Sequence, residues 1–325
     1  MIEVNKPFKY NFTFYQIITL TFGYLLLCFH KWNLKMTETR EKIKEMEVMV
    51  ADVIREAPDT ATLILFTGND KLNYEPGHFL TISPHQFPAL ERWVNYLEDL
   101  KGKKEPPRAY SLSSSPDEKY LAITVKEERY IPGVTSFPPL LSPILARRTF
   151  PGQRMVITGF TGPFTFNEQV RRDSENVLHI CAGSGIVPTY SIIKYDLRYF
   201  SKHKHTLIYS NKNFEDIIFF KQLQKLEEEF PERFKVIHTL TRETNGTLIN
   251  GKIRKGRVSK ELISESIEDS ASTGVFVCGP DHTIHQKKAA KEKGEELKPS
   301  FMGSVLSCLD ELGIPKNKIK KEIYG

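Results

Sequence analysis

The chain has 325 residues, of which 40% are hydrophobic and 26% charged, and its formal net charge is +6 at pH 7. This length is sufficient for two domains, each with its own core. The positive charges are spread along the chain without a compact basic stripe between aromatic residues, which argues against nucleic acid as a partner. A mild positive balance fits acidic partners, a membrane surface or simple solubility.

The cysteines are too far apart in sequence to form a CxxC zinc pair, a disulfide framework or a plant-type iron–sulfur site. They are Cys28, Cys181, Cys278 and Cys308. A chain with this usage belongs to a reducing compartment, so we expect a cytoplasmic protein. Nothing pairs His179, His238 and His285 with one another at metal-ligand spacing, and we assign no metal site.

Residues Phe12–Phe29 form an apolar run close to the lower length limit of a membrane-spanning helix, with lysines on both sides. No small-residue cleavage site follows, which argues against a removed signal peptide. One interpretation is an anchor that attaches the protein to the cytosolic face of a membrane through residues 12–29. The other is that residues 1–35 are a non-native extension and that Met36 is the true start.

The first half of the chain then reads as a run of strands, which begins with Val48–Arg55 and Thr60–Phe66. The run is interrupted at residues 86–101, where apolar residues recur at the spacing of an amphipathic helix. This helical insert is either a lid packed on the edge of a barrel or a docking element for a partner or membrane. A glycine and aromatic cluster at 159–166 ends this half, and Arg171–Glu175 reads as a polar linker.

The stretch Arg108–Ser111 reads as a short strand after the turn Glu105–Pro107. Residues two apart in a strand share a face, so Arg108 and Tyr110 point the same way, with Ser111 beside them. A guanidinium matches a phosphate, a phenol ring can lie against a flat ring system, and a hydroxyl can donate to and accept from a flavin N5. The set therefore suits a flavin nucleotide, although an ordinary amphipathic strand is the alternative.

A second candidate phosphate site precedes the apolar segment Leu140–Leu145, where prolines limit any helix to its first turns. It consists of Gly133, Val134, Thr135 and Ser136. A glycine and two hydroxyls at a helix start place free backbone N–H groups where a phosphate can bind. We therefore expect this turn to begin a short phosphate-binding helix.

Strands and helices alternate in the second half, which predicts a parallel sheet covered by helices. The predicted strands are Val177–Ala182, Thr206–Ser210, Phe234–Leu240 and Val275–Cys278, and the predicted helices are Pro188–Phe200, Ile217–Phe230 and the stretches around 282–293 and 303–312. The first strand-to-helix turn is rich in glycine, which lets the backbone approach a pyrophosphate. Its residues are Gly183, Ser184, Gly185, Ile186, Val187 and Pro188, and Pro188 suits the first position of a helix.

The strand Thr206–Ser210 ends in Asn211 and Lys212, with no carboxylate at its tip to bind ribose hydroxyls. Lys212 could reach a 2′-phosphate as a point charge, which favours NADPH. The alternative is that Lys212 points into solvent and that the protein uses NADH.

Five motifs in this order resemble the ferredoxin-NADP reductase family. They are Arg108–Ser111, Gly133–Ser136, Gly162–Phe164, Gly183–Pro188 and Cys278–Pro280. The resemblance implies a two-domain fold, with an antiparallel β-barrel flavin domain followed by an α/β parallel-sheet, Rossmann-like nucleotide-binding domain. We expect an FAD-binding barrel over residues 46–168, with the helical insert at 86–101, and an NAD(P)-binding domain over 174–325. The segment Tyr209–Phe219 resembles oxygenase reductases and cytochrome-b-type reductases more than the plant enzyme.

The resemblance also implies roles for individual residues. Arg108 would bind a flavin phosphate, Tyr110 would stack on the isoalloxazine ring, and Ser111 would reach N5. The turn Gly133–Ser136 would hold the FAD pyrophosphate, and Gly183–Pro188 would bind the nicotinamide dinucleotide.

At the end of the predicted strand Val275–Cys278, the resemblance implies that Cys278 and Gly279 lie against the nicotinamide ring, within the motif that Pro280 completes. Tyr324 resembles the terminal aromatic residue that covers the flavin in some members, although Gly325 follows it here. The helical insert is not part of the family's common pattern.

These features predict an FAD-dependent NAD(P)H oxidoreductase with Tyr110, Ser111 and Cys278 as catalytic residues. No iron–sulfur domain is fused, so single electrons would pass to a separate acceptor such as a ferredoxin, an iron oxygenase or a haem protein. One alternative is a membrane-anchored NADH–haem-protein reductase of the cytochrome-b type. An alternative from another class is a nucleotide-sensing binding module without flavin.

Overall fold

The computed structural model describes residues 45–68, 72–200, 202–245 and 252–324. The apolar run at 12–29, Met36 and Cys28 lie outside these residues. Among the helices that the structure describes, none has the length and apolar character needed to cross a bilayer.

The first sheet has six strands in the order β4-β3-β6-β1-β2-β5, and all of its neighbours pair antiparallel. The strands are β1 (Glu45–Ala57), β2 (Thr60–Phe66), β3 (Phe79–Ile82), β4 (Arg108–Ser111), β5 (Leu121–Lys126) and β6 (Arg154–Thr161). The sheet closes because Leu112, directly after β4, forms a bridge to Ile123 of β5. Alternate residues of the strands, such as Leu63 and Leu65 of β2, are fully buried in one core.

The helical insert lies between β3 and β4 and ends in helix α1 (Glu91–Lys101), after the short 3₁₀ turns Pro84–Gln86 and Pro88–Leu90. Val94 and Leu97 of α1 are buried in the barrel core. The helix ends at Gly102, whose φ of 63° is a left-handed conformation that glycine adopts without strain. The insert is therefore anchored to the barrel by its apolar stripe.

Two short helices follow in the barrel half, α2 (Ser142–Arg147) and α3 (Glu168–Asp173). Helix α3 overlaps the stretch Arg171–Glu175, so the prediction of a polar linker is wrong for its first three residues. The reason is a local cap, since the Asn167 side chain accepts a hydrogen bond from the backbone N–H of Val170 at 3.1 Å.

The second sheet has six parallel strands in the order β10-β9-β8-β7-β11-β12. They are β7 (Asn176–Ala182), β8 (Lys204–Asn211), β9 (Phe234–Leu240), β10 (Ile253–Lys255), β11 (Thr273–Gly279) and β12 (Ile319–Ile323). The predicted fold class, an antiparallel barrel followed by a Rossmann-like parallel sheet, is confirmed. The short edge strands β10 and β12 were not predicted.

Helices cover both faces of this parallel sheet, as its doubly buried strands require. The helices of this half are α4 (Ile186–Tyr199), α5 (Phe220–Glu229), α6 (Lys260–Glu265), α7 (Ile284–Lys293) and α8 (Phe301–Glu311). Helices α4 and α5 share one core cluster with Phe276. Helices α6 and α8 share the other with Val275 and Val277.

Polar side chains of α4 join the parallel-sheet half to the barrel half. The Ser191 hydroxyl donates to the backbone oxygen of Ser114 at 2.6 Å. The buried ammonium of Lys194 donates to both carboxylate oxygens of Glu118 at 2.7 and 2.8 Å. Since α4 begins at the glycine-rich turn and Ser114 lies just after β4, these bonds fix the two candidate cofactor sites relative to each other.

Candidate active site

Strand β4 places the first group of predicted residues. It pairs with β3, so that Arg108 lies opposite Ile82 and Tyr110 opposite Leu80. The Arg108 guanidinium donates to the carboxylate of Glu105 at 2.6 Å and to the backbone oxygen of Pro106 at 2.7 Å. Arg108 is therefore held in one position while about a third of its side chain, 37%, stays exposed.

Tyr110 shares a face of β4 with Arg108, and Ser111 follows it on the other face. The Tyr110 ring is half-buried and packs against the barrel core. Burial, with the nearby charge of Glu128, raises the pKa of the Tyr110 hydroxyl, so the phenol stays neutral at physiological pH. Ser111 is buried, with 5% of its surface exposed.

The turn Gly133–Ser136 differs from the prediction. The backbone N–H groups of Val134 and Thr135 both donate to the Ile131 oxygen at 3.0 Å, so these two donors are used inside the turn. The nearest following helix, α2, begins only at Ser142. Two consecutive prolines, Pro138 and Pro139, lack N–H groups and push the residues before them out of the helical region. The prediction that the turn forms the start of a helix is therefore wrong.

The glycine-rich turn follows β7 as predicted. Gly183–Gly185 form a 3₁₀ turn that runs directly into α4. Pro188 is thus the third residue of the helix and not the first. Its missing N–H costs no hydrogen bond at the third position either, because the first N–H groups of a helix have no partner within it. A Cβ at Gly185 would lie 2.3 Å from the backbone oxygen of Cys278, so no other residue fits there without a shift.

This close approach brings the turn against the Cys-Gly-Pro motif at the end of β11. Cys278 lies between Cys181 of β7 and Glu322 of β12 in the parallel register. Burial raises the pKa of the Cys278 thiol well above its usual range, so the group is a neutral thiol. At Gly279, a Cβ would lie 2.6 Å from the Phe301 ring, which explains the glycine.

Tyr324 connects the two halves of the site. Its backbone N–H donates to the Gly279 oxygen at 3.0 Å, and its hydroxyl lies beside Ser111. Burial raises the pKa of the Tyr324 hydroxyl well above its usual range, with the neighbouring Cys278 and Glu322 acting in the same direction. The end of β4 and the end of β11 thus meet at one residue, Tyr324.

Glu322 is a candidate site residue that sequence reasoning missed. Its Oε2 atom is buried without a hydrogen-bond partner among the described residues. Burial raises the pKa of the Glu322 carboxyl to about 7. Glu322 lies in β12, two residues before Tyr324, which directly follows the strand. That spacing was visible in the sequence, but the lysine-rich surroundings concealed the strand itself.

The carboxyl edge of the parallel sheet presents a second group of polar residues. Asn211 ends β8 and is buried, and its Nδ2 atom has no hydrogen-bond partner among the described residues. The Thr239 hydroxyl on the neighbouring strand β9 is also buried and also has no hydrogen-bond partner among the described residues. Lys212 is exposed, and its backbone oxygen accepts from the N–H of Arg242 at 2.8 Å. The structure therefore brings the backbone of a second basic residue, Arg242, against that of Lys212, which the sequence did not indicate.

Comparisons with known proteins agree with this geometry. The oxidoreductase NAD-binding domain family matches residues 179–288. NADH-cytochrome b5 reductase 2 of Pyricularia oryzae is 31% identical over 229 residues, which cover 68% of this chain and 62% of that protein. The chain spans roughly half to three fifths of the length of the curated relatives that it matches.

Solved structures show the same fold. The cytochrome b5 reductase domain of Ulva prolifera nitrate reductase matches with a TM-score of 0.64 and 18% identity, over 86% of this chain and 97% of that one. A ferredoxin-NADP⁺ reductase of Plasmodium falciparum matches with a TM-score of 0.62 and 17% identity, over 86% and 96%. The matched family model and the fold are those of ferredoxin-NADP reductase-like FAD/NAD-binding oxidoreductases, as the five motifs predicted. Within that class, a curated relative matched over two thirds of this chain is a cytochrome b5 reductase.

Proposed function

We propose that this chain is a flavin-dependent NAD(P)H oxidoreductase that takes hydride from NADPH or NADH onto FAD and passes single electrons to a separate acceptor. The observation that carries the proposal is the contact of Tyr324 with Ser111 on one side and Gly279 on the other. This contact joins a strand suited to a flavin to a strand end suited to a nicotinamide nucleotide. A binding module for nucleotide alone would not need the barrel face.

The residues present fit both cofactors. On the barrel, Arg108 offers a guanidinium for phosphate, Tyr110 a neutral ring, and Ser111 a hydroxyl that donates and accepts. On the sheet edge, the buried Asn211 amide and Thr239 hydroxyl lack partners among the described residues and are suited to bind a ribose or base. The glycine-rich turn supports this, since space is open above Gly183 and the following helix points its N-terminus there.

Bound FAD would supply the change from two-electron to one-electron transfer, because cofactors carry the redox chemistry in such proteins. The protein's own residues orient, shield and move protons. Ser111 and Glu322 provide a hydroxyl and a carboxyl that exchanges its proton near neutral pH. The neutral thiol of Cys278 packs the strand end, and the Tyr324 side chain excludes water from the space between the two halves.

A haem protein is the acceptor that we favour, because NADH-cytochrome b5 reductases recur among the curated relatives. A ferredoxin or an iron oxygenase remains the other acceptor class. Location in the cytosol, with attachment to a membrane through residues 12–29, is part of the same proposal.

The test uses the purified full-length chain. We expect yellow protein with flavin absorbance, and oxidation of NADH or NADPH when ferricyanide is the acceptor. Cytochrome b5 and a ferredoxin are then compared as protein acceptors at equal concentration. Nucleotide binding without bound flavin, and without turnover after FAD is added, would contradict the proposal and favour the nucleotide-sensing module.

A further inference from the structure

The helical insert ends in a charge cluster formed by Lys101, Glu105 and Arg108. The Glu105 carboxylate, 2% exposed, accepts from Lys101 at 2.5 Å through one oxygen and from Arg108 at 2.6 Å through the other. The side chains of Lys101 and Arg108 are 26% and 37% exposed. The anion is therefore the inner layer of the cluster, and the two cations are its outer layer.

The buried carboxylate is held in place by the insert itself. The backbone N–H of Glu105 donates to Glu98 of α1 at 2.7 Å, and the same carboxylate oxygen of Glu98 lies 2.7 Å from the His85 ring. Burial alone would raise the pKa of Glu105, but the hydrogen bonds from Lys101 and Arg108 lower it below its usual value. Glu105 thus stays ionised at neutral pH. The three side chains of the cluster together then carry one net positive charge.

The cluster also touches the turn predicted to bind pyrophosphate. The Lys101 ammonium lies 4.8 Å from the centre of the Phe137 ring, and Phe137 directly follows Ser136. One cation thus lies on β4 and the other beside the turn, although the turn's own N–H groups at Val134 and Thr135 are used internally.

We propose that Lys101 is a second phosphate-binding cation for the FAD pyrophosphate, and that Glu105 is the buried template that holds Lys101 and Arg108 ready for it. A pyrophosphate carries two adjacent negative groups, which a guanidinium fork and an ammonium point charge complement. Holding both side chains beforehand lowers the ordering cost of binding. The helical insert therefore supplies a cofactor-binding residue. This inference rests on the proposed function.

The experiment compares dissociation constants for FAD and for riboflavin, which lacks phosphate, by quenching of flavin fluorescence on flavin-free full-length protein. Lys101→Met should weaken FAD binding about tenfold, which equals about 1.4 kcal/mol, and leave riboflavin binding unchanged. Lys101→Arg should stay within about twofold of wild type, because the charge is kept. Lys103→Met, at an exposed lysine two residues away, is the matched control and should change neither constant.

Glu105→Gln tests the template. It adds net positive charge yet releases both cations, so FAD binding should weaken by several-fold; tighter binding would overturn the role of Glu105. The role of Lys101 is overturned if Lys101→Met binds FAD as tightly as Lys103→Met, or if FAD and riboflavin weaken equally. Wild-type protein that binds no FAD would instead remove the proposed function, so the two failures are distinguishable.

Discussion

Glu105 in the barrel half and Glu322 in the parallel-sheet half are both largely buried carboxyl groups, but they differ in their partners. Two cations lower the pKa of Glu105 against the effect of burial. No described group bonds to Oε2 of Glu322, and burial raises its pKa to about 7. The first carboxyl is thus a fixed charge that organises its neighbours, and the second is a proton-exchanging group.

The same contrast separates the two candidate cofactor sites. On the barrel, the cations are paired and held before any ligand arrives. On the sheet edge, Lys212 is exposed, and the Asn211 amide lacks a hydrogen-bond partner among the described residues. We infer that the barrel site is preorganised by charge, whereas the sheet site depends on close backbone packing and on groups that pair only with a ligand.

The strongest test of charge preorganisation is Arg108→Ala. Losing a charge-assisted phosphate contact should weaken FAD binding by about 1.5–3 kcal/mol, or roughly 10- to 150-fold. Equilibrium dialysis followed by flavin absorbance measures the loss. Arg92→Ala, on the exposed face of α1, is the control and should retain its flavin. Equal flavin retention in the two variants would remove Arg108 from the site.

Gly185→Ala tests packing at the sheet site. The added Cβ would lie 2.3 Å from the Cys278 oxygen, and a backbone atom cannot move aside as a flexible side chain can. Overpacking of this kind should lower the free energy of unfolding by about 1–3 kcal/mol and weaken NAD(P)H binding. Urea unfolding and nucleotide titration are the measurements. Gly303→Ala is the control: the nearest atom to its added Cβ is the Ser300 hydroxyl at 3.2 Å, so this variant should lose less free energy of unfolding. A larger loss for Gly303→Ala than for Gly185→Ala would contradict the packing argument.

Glu322→Gln tests the unpaired carboxyl. The folded pKa of about 7 exceeds the ordinary value of 4.5, so the folded state binds the proton more tightly than the unfolded state. Stability should therefore fall as the pH rises from about 4.5 to about 7 and level off above that range. As the pH rises from about 5 to about 8, the free energy of unfolding of the glutamine variant should increase relative to that of wild type by on the order of 2 kcal/mol.

Urea unfolding at several pH values measures this gain. Glu296→Gln, at an exposed position, is the control and should show the pH dependence of wild type. A Glu322→Gln variant with that same dependence would mean that Glu322 has an ordinary pKa.

The smallest expected effect concerns Lys212. An exposed ammonium that meets a 2′-phosphate contributes about 1 kcal/mol, so Lys212→Ala should lower kcat/KM for NADPH about fivefold and leave NADH nearly unchanged. Lys225→Ala, an exposed lysine on α5, is the control. Equal effects on both nucleotides, or no effect, would show that Lys212 does not set the preference between NADPH and NADH. Arg242 would then be the next residue to test.

Elements with a clear period were predictable from sequence. The apolar strand Thr60–Phe66 was predicted at its observed bounds, and the helix predicted at Pro188–Phe200 is observed at Ile186–Tyr199. Strand β12 was not predicted, because Ile319–Ile323 is short, rich in lysine and lies at a sheet edge. The turn Gly133–Ser136 failed differently, since its composition suited a helix start but the prolines that follow moved the helix to Ser142.

By itself, the sequence determined the class of protein and the residue types of the site, because glycine turns, strand periodicity and motif order are local properties of the chain. Only the tertiary structure decided which charges are paired. Glu105 is three residues from Arg108, and this spacing does not show that Glu105 is buried beneath it. Glu322 meets Cys278 only through the pairing of β12 with β11. Burial and partners, which set a carboxyl's pKa, arise when distant segments pack together.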